Sequence, residues 1–94
     1  MAMITPATAA ATSTYTVRRD ELPVKFQVIG VLTTEVISVY EVDSADGEHL
    51  AYDSLGSLVQ ITVTNPSITV FGPGKLKFSK PETANAVGLE KAME

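Results

Sequence analysis

Along most of this chain apolar residues recur at every second position. Tyr15 and Val17 alternate with Thr16 and Arg18, and Val24, Phe26 and Val28 with Lys25 and Gln27. Val59, Ile61 and Val63 alternate with Gln60, Thr62 and Thr64; Ile68 and Val70 follow with Ser67 and Thr69. Leu76 and Phe78 close the series with Lys75 and Lys77. A spacing of two is that of a strand with one face on a core. No segment holds helical spacing over three turns, and β-branched residues crowd every run. Residues 36–42 differ, because Val36, Tyr40 and Val42 share one face while Ile37 and Val39 share the other. Such a strand belongs in the middle of a sheet or at an interface.

Turn residues separate the runs. Residues 43–48, with Asp43, Asp46 and Gly47, tolerate the backbone angles of a tight reversal, and residues 49–52 read as a short return strand. Residues 54–57 form another turn, and Asn65-Pro66 ends a run because proline has no N–H to donate. Gly72-Pro73-Gly74 reverses or re-aims the chain within three residues, delivering Leu76 and Phe78 to the core with Lys75 and Lys77 outside. Short strands between such turns define an all-β fold: a small antiparallel β-sandwich or barrel, immunoglobulin-like or jelly-roll-like.

At 94 residues the chain makes one small domain with tails. Residues 1–13 are uncharged and poor in large apolar groups, and read as an extended N-terminal arm; residues 14–90 form the domain and 91–94 a tail with the makings of a helical stub. The start lacks a basic stretch followed by a strongly apolar one, so it reads as a retained arm, not a cleaved signal. A domain this small needs support, and with no Cys and one His neither disulfides nor a usual zinc site supplies it. Partners are the remaining route. A net charge of −4 and a pI near 4.8 argue against nucleic acid as a partner, and no run is long and apolar enough to span a membrane.

The constellations that carry chemistry are thin. Asp43, Asp46 and Glu48 miss the ligand spacing of a calcium loop, and His49 has neither a nucleophile motif nor a carboxylate within strand reach. Pro66 excludes glycosylation at Asn65. Lys75 and Lys77 share a strand face, the pattern that keeps an edge strand from pairing with strangers; contact with acidic groups of a partner is the alternative. No enzyme, cofactor, metal or small-molecule substrate is expected.

The stretch from Gly72-Pro73-Gly74 through Leu76, Lys77 and Phe78 to Ala86-Val87-Gly88 resembles β-rich segments of virion structural proteins of tailed bacteriophages. The resemblance covers roughly residues 36–90. It implies a capsid decoration (cement) protein, made in the host cytoplasm and carried on the capsid surface, with the major capsid protein as partner and a homo-oligomer, a trimer first, as its state. The alternatives are a tail, collar or fibre-attachment component, or a receptor- or carbohydrate-binding sandwich. Partner contacts are expected from the arm (Met1, Met3, Ile4, Pro6), from Tyr15, Arg18 and Arg19, and from Lys75 and Lys77.

Overall fold

The computed structural model describes residues 2–52 and 56–92. Among these residues the strands are β1 (Ala2–Ala7), β2 (Ala11–Val17), β3 (Val24–Ile29), β4 (Ile37–Val42), β5 (Glu48–Leu50), β6 (Gln60–Ile61), β7 (Ser67–Val70), β8 (Gly74–Lys80) and β9 (Val87–Lys91). A 3-10 turn at Arg19–Glu21 is the one helical element among them. Two antiparallel sheets pack together as a small β-sandwich. The first runs β1-β9-β3-β7 and the second β2-β8-β4-β5, with β6 beside β5 on the same edge of β4.

The alternation read from the sequence fills the space between the sheets. Val24 and Phe26 from β3, Val87 and Leu89 from β9 and Ile68 from β7 meet Val17, Ile37, Val39, Leu76 and Phe78 from the second sheet. Phe26 and Phe78 lie 4.9 Å apart across the layers, and Tyr15 meets Phe26 edge-on at 5.5 Å. Each large side chain removed from water here contributes about 1.5–3 kcal/mol. β4 is the interior strand its two-sided pattern suggests: Ile37 and Val39 are buried in the core, while Ser38, Tyr40 and Val42 are half-buried on the opposite face.

Gly72-Pro73-Gly74 turns no hairpin. β7 ends in the first sheet and β8 begins in the second, so the corner carries the chain between layers. Leu76 and Phe78 enter the core as expected. β8 itself, however, lies between β2 and β4. Lys75 and Lys77 therefore protect no edge, which corrects that reading. Their ammonium groups instead reach the neighbouring hairpin, 3.5 Å from Asp46 and 2.8 Å from Glu48.

Residues 2–13 do not project as an arm. β1 pairs with β9 and buries Ile4 to 4% exposure, and β2 pairs along its whole length with β8. The sandwich thus begins ahead of residue 14, and the crossing at residues 8–10 links its two layers. Lys80, in phase with Leu76 and Phe78, turns inward to 2% exposure, and its ammonium donates to the Ala9 carbonyl at 2.6 Å. Thr83 donates its N–H to the Thr8 carbonyl at 2.9 Å. An uncharged segment too poor to make its own core is held by borrowing one.

β9 went unread in the sequence because Gly88 interrupts it. The structure gives that glycine a purpose: a Cβ there would press on the Ile4 carbonyl and come within 2.8 Å of the Pro6 nitrogen. Lys91 closes β9 and so joins the domain rather than a helical stub; Met93, Glu94 and Met1 lie outside the described residues, as does part of the turn expected at 54–57. Gly88→Ala is expected to push β1 off its neighbour, costing about 1–3 kcal/mol of stability. Amide hydrogen exchange should locate the loosening in residues 2–7 before the rest of the domain.

Candidate functional site

Three places bring together side chains that could act on something. The first is the cluster of Tyr15, Glu21 and Lys91, which ties β2 and the 3-10 turn to β9 on the opposite sheet. The Tyr15 hydroxyl donates to Glu21 Oε1 at 2.5 Å, and Lys91 Nζ donates to the same oxygen at 2.8 Å and to the Tyr15 oxygen at 3.0 Å. The other carboxylate oxygen accepts the Arg18 N–H at 2.8 Å. Only 9% of the Glu21 side chain is exposed. Hydrogen bonds from Lys91 first, then from Tyr15 and the Arg18 backbone, hold its pKa down to about 2, and the same contact raises that of Lys91. These bonds join the two sheets, and the cluster is a clasp between layers.

The second is the β4–β5 hairpin. His49 Nε2 lies 2.8 Å from Asp43 Oδ2, a carboxylate partner that strand spacing did not reveal because it sits across the turn. Asp43 also accepts the Gly47 and Ala45 N–H groups at 2.7 and 2.9 Å, and these bonds, that from His49 foremost, lower its pKa. Both side chains stand in solvent. Among the described residues no group of three or more His, Cys, Asp or Glu could hold a metal ion.

The third is a cleft of about 720 Å³ where the sandwich opens between β7 and the β5 side of the second sheet. Its floor is core, from Val39, Ala51, Ile68 and Leu76, with half-buried Val59 packed against it. Phe71, 78% exposed, and Tyr52, 57% exposed, stand at its rim, with Glu41 and Lys75 as the charged groups. Phe71 precedes the Gly-Pro-Gly corner at the outward phase of β7, opposite to Ile68 and Val70. An aromatic at an outward position beside a turn was a legible signal for this surface, and the sequence reading passed over it. Apolar lining with two charges at the mouth suits the apolar side chains of another chain, and offers little to orient a small polar substrate.

The residues expected to meet a partner fall in three places. Met3 is half-buried against the core, Ile4 is inside it, and Pro6 is exposed on β1. Tyr15 is engaged in the clasp, Arg18 lies 3.5 Å from Asp20 on the surface, and Arg19 is exposed beside it. Lys75 and Lys77 face outward on β8, and Lys75 alone reaches the cleft. No protein-family model, characterised protein or solved structure matches this chain.

Two measurements follow from this geometry. Glu35, which accepts the Thr33 and Ala84 N–H groups at 2.9 and 3.0 Å, also has its pKa held down to about 2, from the ordinary 4.5, by those backbone donors. For Glu21 and Glu35 alike the folded value lies below the unfolded one. Their stabilisation is complete above about pH 4.5 and is lost as pH falls towards 2. Denaturant midpoints should hold steady down to that upper limit and decline below it, and the decline should be shallower in Glu21→Gln. At the cleft, Phe71→Ser should shift unfolding free energy by less than about 0.5 kcal/mol, whereas Ile68→Ala on the floor should lose about 2–5 kcal/mol.

Proposed function

We propose that the protein is a non-enzymatic structural protein of a virion, the decoration protein of a tailed-phage head, which docks on the major capsid protein and clamps the assembled shell. The observation that carries this reading is the apolar end of the sandwich, where Phe71 and Tyr52 flank the cleft. An exposed aromatic beside an apolar cleft is poorly suited to a free monomer in water and well suited to an interface anchor. The resemblance of residues 36–90 supplies the class of partner. Binding the shell but not its free subunits would stabilise the shell by mass action, and many copies would add avidity to a weak single contact.

A second reading has one observation in its favour. Exposed Phe71 and Tyr52 are the kind of aromatics on which a sugar ring stacks. The cleft floor offers few polar groups to meet sugar hydroxyls, so a carbohydrate-binding module ranks second. A tail, collar or fibre-attachment component uses the same apolar end and differs from a decoration protein in where it sits on the particle.

Co-sedimentation with mature heads of the virus that encodes the chain tests the first reading. The wild-type protein should pellet with heads, ignore free capsid protein and raise the temperature at which heads burst; Phe71→Ser, still folded, should bind at least tenfold more weakly. No affinity for heads would sink the proposal. Labelling confined to tails, or hits on a glycan array, would move it to one of the alternatives.

A further inference from the structure

Among the described residues the two sheets end in four strand edges, and three of them are blunted. β1 carries Pro6 and two breaks in register against β9. β5 and β6 are three and two residues long. β7 has four residues, between Pro66 and Pro73. Short strands, prolines and bulges are the means by which proteins prevent stray pairing along an edge. β2 has none of them. It runs for seven residues in unbroken register with β8 and contains no charge, proline or glycine. Its other edge makes no backbone hydrogen bond within the chain among the described residues.

The strand is also complementary to itself. Its sequence is Ala11-Thr12-Ser13-Thr14-Tyr15-Thr16-Val17, with Thr12, Thr14 and Thr16 exposed on the outer face. An antiparallel pairing of two copies about a two-fold axis at Thr14 sets Thr12 opposite Thr16 and Thr14 opposite Thr14. On the inner face it sets Ser13 opposite Tyr15 and Ala11 opposite Val17, a small residue against a large one each time. Cross-strand threonine pairs are favourable, and the contact brings no like charges together, since Arg18 falls opposite Ala10. A two-fold interface requires this match of one surface with itself.

We infer that β2 is a homodimerisation edge, pairing antiparallel with β2 of a second copy about Thr14 so that the second sheet continues across both molecules. The inference does not rest on the capsid reading. It also departs from the three-fold arrangement implied by the resemblance, because one strand edge pairs with one strand.

Light scattering on size exclusion, with far-UV circular dichroism as the check on folding, tests it. Two double variants share the Thr16→Glu change, which places a carboxylate opposite Lys75 of the same chain. T12E/T16E sets like charges opposite each other twice across the axis, and T12K/T16E sets opposite charges at the same two pairs. The parent chain and T12K/T16E should weigh twice the 10.0 kDa chain, with T12E/T16E at 10.0 kDa and at least tenfold weaker in association. A monomeric or trimeric parent, or a dimer equally tight in both folded variants, overturns the inference. None of these outcomes depends on binding to heads.

Discussion

A lysine ammonium enclosed in a sandwich must be given oxygen atoms, because leaving water without them costs several kcal/mol. Lys80 receives the carbonyls of Ala9 and Pro81, at 2.6 and 3.3 Å. The first belongs to the crossing between β1 and β2, so the ammonium and the crossing require each other. With the crossing held, β1 can lie over Gly88 and β2 can run straight along β8. The clasp of Tyr15, Glu21 and Lys91 then closes the same side of the molecule from the other end of β2.

That side is where charge and hydrogen bonding hold the layers, and the opposite side is where they part. Around β7 and β5 the strands are short, and Ile68, Leu76 and Ala51 are the least enclosed of the core residues. The cleft follows from this asymmetry: one edge of the sandwich is fastened by buried polar contacts, while the other stops before it closes. The two surfaces available for association are accordingly different in kind. The cleft offers apolar contact to side chains, and the β2 edge offers backbone hydrogen bonds to a strand.

Much of the fold was legible because a period of two with one buried face leaves little choice of register. Tyr15 to Val17, Val24 to Val28, Ile68 to Val70 and Leu76 to Phe78 all took the faces their alternation assigns. Residues 2–7 and 87–91 were not legible as strands, since each lacks a pattern without the other: Gly88 is intelligible only once the Ile4 carbonyl lies against it. Lys80 is charged, yet its phase with Leu76 and Phe78 places it inside. The partner of His49 escaped notice because Asp43 is near it only across the hairpin.

By itself the sequence determined the all-β class, the inward and outward faces of most strands and the position of the turns, all of which follow from local periodicity and backbone stereochemistry. Only the tertiary structure decided which strands are neighbours. That choice turned Lys75 and Lys77 from edge guards into partners of a hairpin, converted an arm into two strands, and left β2 with an open edge and β7 beside a cleft. Pairing between distant strands depends on contacts that no single stretch contains, so it emerges only when the whole chain has closed around one core.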